Sequence, residues 1–178
     1  DEWIEMDEEV DLPKITFEIR SDIGAIRDWR RHQKWDRSEP LYTLDSGFER
    51  PYMLNDMSIE ARDIFDNAME EAHNAEIEIR KEFPYQAQYV LPMATRHAIT
   101  MSGGLDQLQY MLWTRSTPQG NWSYRKDAFT IAEAVVKVMP WMLGYEKYPE
   151  GKDFMQVYNN APLKGFLRLQ TGGDVLHQ

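Results

Sequence analysis

The stretch from Ser58 to Phe83 constrains the fold most. Phe65, Ala68, Met69, Ala72 and Ile79 recur at helical spacing, Glu and Arg cover the opposite face, and Pro84 stops the run. A helix this long needs partners for its apolar stripe, and the rest of the sequence supplies them. Lys14 to Arg20 alternates Ile15, Phe17 and Ile19 with polar Thr16 and Glu18, the period-two signature of a half-buried strand. Ser21 and Asp22 offer N-caps for a helix through roughly Lys34, with Ile23, Ile26 and Trp29 on one side. Residues 36–56, punctuated by Pro40, Gly47 and Pro51, read as a structured loop.

After Pro92 a β-leaning stretch around Ala98 to Met101 is the expected strand partner of the first. Gly103 and Gly104 are expected to form a turn into a helix carrying Leu105, Leu108, Met111 and Leu112, which Pro118 and Gly120 break. A last helix runs from about Asn121 to Met139, with Trp122, Phe129, Ala132, Val136 and Met139 in register. Strands among helices give an α/β or, more narrowly, α+β single domain: a small antiparallel sheet packed with long helices. The expected organisation is an acidic tail or linker at 1–12, a domain at 13–142 and an irregular arm at 143–178 that packs on the domain or on a neighbouring subunit.

At 178 residues, with 42% hydrophobic residues, six Trp, nine Tyr and seven Phe, the chain is long and apolar enough to bury a core. Its net charge of −10 argues against wholesale binding of nucleic acid or anionic membrane. Much of that charge crowds the opening: Asp1, Glu2, Glu5, Asp7, Glu8, Glu9 and Asp11. The sequence contains no cysteine, so disulfides and thiol chemistry are excluded. No apolar run approaches the roughly 20 residues of a membrane span, and no signal-peptide pattern is present. A soluble cytoplasmic protein is expected. An acidic start without Met is consistent with a fragment or a processed chain.

Chemistry-bearing patterns are few. The histidines, His32, His73, His97 and His177, form no spaced pair suited to zinc, so no metal site is expected. Glu70 and His73 have the i, i+3 spacing of di-iron bundles but lack the second copy such a site needs. No nucleophile-elbow sequence marks a serine. Arg30, Arg31, His32 and Gln33 close a helix, where cations suit the macrodipole, and Arg125 lies on the apolar-rich last helix one turn after Trp122.

Taken together, these segments resemble the flavin-dependent thymidylate synthases, whose hallmark is a helix ending in R-H-R followed by x-x-S-x-N-E-x-S-x-R-Y. The strand and helix ITFEIRSDIGAIRDWR lead here into RHQKWDRSEPLYTL. Arg31, His32 and Glu39 match, and Gln33 replaces the second arginine. Asp36 and Ser38 replace serine and asparagine, while Leu41, Thr43 and Leu44 replace the late serine, arginine and tyrosine. AQYVLPMAT resembles A-R-x-V-L-P with Gln88 for arginine. GGLDQLQYMLWTR parallels the N-x-R helix with Gly104 and Asp106 substituted and Arg115 kept. STPQGNWSYRKDA parallels H-A-Q-x-E-I-R-x-x-A, keeping Arg125 and Ala128 but with Gln119 and Ser123 substituted.

The resemblance covers about Ile15 to Met139. It implies an FAD-dependent methylation of dUMP to dTMP, with methylenetetrahydrofolate and NADPH as co-substrates, in a homotetramer whose sites form between subunits. Carried over residue by residue, Arg31, His32 and Gln33 lie along FAD, Glu39 touches the substrate pocket, and Arg125 faces the uracil as the catalytic residue. The substitutions set a second expectation beside this one: a non-catalytic copy of the fold that serves oligomer assembly or completes the site of an intact copy.

Overall fold

The computed structural model describes residues 14–139. The expected acidic tail and C-terminal arm lie outside the described residues. Strand β1 (Lys14–Asp22) runs straight into helix α1 (Ile23–Trp29), with the Asp22 side chain accepting from the Ala25 amide as the sequence led one to expect of a cap. Then come a short strand β2 (Asp36–Ser38), a 3-10 turn at Tyr52–Asp56, helix α2 (Ile59–Arg80) and a second 3-10 turn at Gln86–Val90. Strand β3 (Arg96–Gly104) leads directly into helix α3 (Leu105–Arg115), and helix α4 (Trp122–Val138) follows.

The architecture is α+β: among the described residues there are four α-helices and a three-stranded antiparallel sheet of order β1-β3-β2. The alternation seen in the first strand places Ile19 opposite Ile99 and Phe17 opposite Met101 on the face that packs against helices. Trp29 of α1, Leu108, Met111 and Leu112 of α3, and Phe129, Ala132 and Val135 of α4 complete that core. The opposite face of β1 carries Thr16, Glu18 and Arg20; Thr16 donates to Ser102 across the strands at 2.9 Å.

Three expectations need correction. Helix α1 stops at Trp29 rather than near Lys34, because Trp29 and Trp35 are both buried and the chain must reverse between them to seat both indoles. The expected loop at 36–56 begins with β2, which pairs Asp36 with Ser102 and Ser38 with Thr100. Gly103 and Gly104 end β3 instead of forming a turn; a Cβ on Gly103 would meet the Trp35 ring at 2.7 Å, so the missing side chain makes room for that indole.

Helix α2 sits at the periphery. Met69 and Glu76 are its buried residues, while Phe65, Ala72 and Ile79 of its stripe are half-buried and Ala68 is exposed. The Glu76 carboxylate is fully buried and paired with Arg80 Nε at 3.1 Å.

Candidate functional site

The motif residues hang from the reversal between α1 and β2. Backbone bonds from Arg31 N to Asp28 O (3.3 Å), His32 N to Trp29 O (3.1 Å) and Trp35 N to His32 O (3.3 Å) shape a tight turn. With its two tryptophans buried at either end, the turn sends His32 inward and leaves Arg31 and Gln33 on the surface.

Arg115, the last residue of α3, meets His32 there. Its Nε donates to His32 Nε2 at 2.9 Å, one terminal nitrogen donates to the Asp28 carbonyl at 2.7 Å, and the other lies 3.3 Å from the Asp28 carboxylate. Both Arg115 and His32 are about nine-tenths buried, and the guanidinium lies over the Tyr124 ring, 5.2 Å from its centroid. Burial, with the Arg115 charge beside it, holds the His32 imidazole down at about 4, against a smaller opposing pull from Asp28. The ring is therefore neutral near pH 7, which leaves Nε2 a lone pair for Arg115. Arg31 reaches the same Asp28 carboxylate at 3.4 Å with its side chain 68% exposed. Arg125 adjoins this corner, its Nε donating to the Ser116 carbonyl at 3.4 Å.

Glu39 turns to a different partner. Arg30 Nε lies 3.0 Å from both of its oxygens, and an Arg30 terminal nitrogen bonds one of them as well. This hydrogen-bonded pairing raises the Arg30 guanidinium above its ordinary range. Tyr42 donates to Glu39 at 3.4 Å, and the Arg30 guanidinium sits over the Tyr42 ring at 5.2 Å. Burial pushes the Tyr42 phenol up to about 12, so it remains protonated. His97 packs on that ring with centroids 3.9 Å apart, and its Nε2 lies 3.8 Å from Glu39; burial lowers this imidazole too, against the pull of Glu39. Gln88 accepts from the Tyr42 amide at 3.0 Å and donates to the Tyr85 carbonyl at 3.0 Å, so it latches the motif loop to the chain ahead of β3.

The structure thus gathers His32, Arg115 and Arg125 at the α3–α4 corner, with Arg31 at its outer edge, while Glu39 forms a second cluster with Arg30. Sequence reasoning missed Asp28, Tyr42 and His97, and assigned Arg30 only a helix-end role. Their partners lie up to 87 positions away, and no local pattern announces them. Among the described residues no group of three or more His, Cys, Asp or Glu side chains is placed to hold a metal ion. No helix there is long and apolar enough to cross a membrane.

The donor set does not suit a phosphate-bearing flavin. His32 and Arg115 spend their buried hydrogen bonds on each other and on Asp28, and Glu39 neutralises Arg30. At the start of α3, Asp106 presents an exposed carboxylate bonded by Gln107.

The sequence profile of the family described as thymidylate synthase complementing protein matches residues 8–141. The chain is 34% identical over 139 residues to a UPF0159 protein of Chlamydia muridarum, which covers 78% of this chain and 26% of that protein. It is 34% identical over 137 residues to a UPF0159 protein of Chlamydia pneumoniae, with 77% and 25% covered. A UPF0159 protein of Thermoplasma acidophilum is 27% identical over 139 residues, with 78% and 28% covered. The chain spans about a quarter of the length of these curated relatives. With the profile covering most of the sequence, and the strand, helix and motif turn arranged around it, the chain belongs to the thymidylate synthase complementing protein family.

Proposed function

We propose that this chain is a non-catalytic domain of its family, which keeps the fold for oligomer assembly and braces or completes a site belonging to an intact copy. The observation that carries this reading is the internal use of the retained motif residues. A residue that binds ligand needs free hydrogen-bonding capacity in the cleft. Here His32 and Arg115 close on one another at 2.9 Å, and Glu39 is clamped by Arg30. The substitutions strengthen the reading, since Gln88 ties down a loop instead of presenting a charge. The length of the curated relatives supports it from another side: a protein of which the matched region makes up about a quarter has room for an intact copy beside a domain like this one.

One observation favours the catalytic reading, in which FAD, NADPH and methylenetetrahydrofolate serve methylation of dUMP, with Arg31, His32 and Gln33 along the flavin, and Glu39 and Arg125 at the nucleotide. Arg31 keeps its side chain 68% exposed at the corner where Arg125 arrives.

Two measurements on the purified chain separate the readings. Absorbance in the flavin band, together with titrations of FAD and dUMP, reports on the site. Sedimentation of the chain alone and mixed with an intact family member reports on assembly. The proposal expects a colourless protein that takes up neither ligand and forms a stable complex. A yellow protein, or a monomer at all concentrations that ignores the intact member, would overturn it.

A further inference from the structure

A cavity of about 600 Å³ opens where β1 ends and β3 begins, walled by the first half of α4. None of Arg31, His32, Gln33, Glu39 and Arg125 lines it. Four carboxylates do: Asp22, Asp45, Glu49 and Asp127. Asp22 is 8% exposed; one of its oxygens caps α1 through the Ala25 amide at 2.9 Å, and the other is buried with no hydrogen-bond partner. Asp127 accepts from the Trp29 indole at 3.1 Å and from the Ser21 hydroxyl.

Neither Asp22 nor Asp127 has an ion-pair partner among the described residues, and the contrast with the other acids of the cleft is sharp. Glu49, in the same lining, holds two cations: Arg96 at 2.6 Å and Lys126 at 3.0 Å. The cleft's acids are therefore unevenly served. Glu49 is doubly compensated and Asp45 pairs with Arg80, whereas buried Asp22 and half-buried Asp127 have no ion pair, Lys126 reaching Asp127 only through its charge. Buried carboxylates without a counter-charge are costly. Burial, assisted by the Asp22 charge, accordingly pushes the Asp127 carboxyl up to about 6.

The missing charge has a definable chemistry. The cleft is far larger than a metal ion and falls in the size range of small-molecule sites. With no third ligating side chain placed among the described residues, two carboxylates make a poor metal site. An organic cation fits better, because the cleft already accommodates one of its own: the Lys126 ammonium lies 5.2 Å from the centre of the Trp122 ring while bonding Glu49.

We propose that this cleft binds a small organic cation carrying a primary ammonium group, an alkylamine or diamine, with the ammonium between Asp22 and Asp127 and the carbon chain directed towards Trp122. The site is separate from the motif residues and does not depend on whether the domain is catalytic.

The test is an NMR titration of the full chain with n-butylammonium, with n-butanol and n-butyrate as neutral and anionic controls, following the Trp29 indole N–H that bonds Asp127. A saturable shift with n-butylammonium alone is expected. Asp127→Asn, which keeps the shape and removes the charge, should weaken binding by about tenfold or more. Asp22→Asn retains a competent helix cap and should act likewise. The proposal is overturned if no saturable shift occurs, if butanol or butyrate produces the same shift, or if both substitutions leave binding unchanged.

Discussion

Arg115 Nε donates to His32 Nε2 at 2.9 Å, a buried bond between residues 83 positions apart that ties the end of α3 to the turn after α1. Removing the guanidinium in Arg115→Met leaves the buried His32 Nε2 without its donor and takes one partner each from the Asp28 carbonyl and carboxylate, which keep Arg31. A loss of about 2–4 kcal/mol in unfolding free energy is expected from urea denaturation. The His32 imidazole should also rise from about 4, since the Arg115 charge helps depress it, yet stay below its ordinary value because burial is the larger cause. NMR titration of the ring protons reads this directly.

The same imidazole makes stability depend on pH. Folding lowers it from 6.5 to about 4, so the unfolded chain binds more protons in between. The stability this group contributes is complete above the unfolded value and drains away as pH falls through the folded one. Its size is about 1–3 kcal/mol. Urea midpoints of the chain and of His32→Gln should therefore converge as the solution is acidified from neutrality to about pH 4. Parallel curves would assign the acid loss to other groups.

Asp127 acts with the opposite sign. Its carboxyl is raised from 3.8 to about 6, so the folded chain binds more protons across that window and stability falls as pH rises through it. Asp127→Asn should stabilise the fold by about 1–3 kcal/mol near neutrality, with the gain vanishing below the unfolded value. Thermal unfolding at neutral and at acidic pH measures both ends. Destabilisation by the substitution at neutral pH would contradict the uncompensated-charge account.

Gly103→Ala should destabilise by about 1–3 kcal/mol, because its Cβ would approach the Trp35 ring at 2.7 Å. Trp35→Leu is costly by itself but should make the alanine tolerable, so a double-mutant cycle is expected to show strong coupling. Additive effects would mean that the ring does not rest on Gly103.

These contacts mark where the sequence stops being legible. The Lys14–Arg20 alternation announces β1 and its buried face, and the stripes of α3 and α4 are readable because each buried position follows the helical period. The end of α1 is not readable: no Gly or Pro follows Trp29, and the helix stops because Trp35 must reach the core and β2 must pair with β3. Asp127 was readable in principle, since it shares the spacing of buried Ile131 and Val135 and so occupies an apolar stripe. The motif positions themselves, Arg31, His32, Glu39 and Arg125, were found by family likeness. Their actual partners, Asp28, Arg30 and Arg115, follow from tertiary placement that local pattern does not encode.

On the proposed reading, His32, Arg115 and Glu39 spend their hydrogen bonds within this chain instead of on a cofactor. Calorimetric titration of the purified chain with FAD, in the presence and absence of dUMP, tests it most directly. No saturable heat and no flavin absorbance retained after gel filtration are expected. Stoichiometric FAD uptake, weakened by Arg31→Ala, would contradict it and restore the catalytic reading.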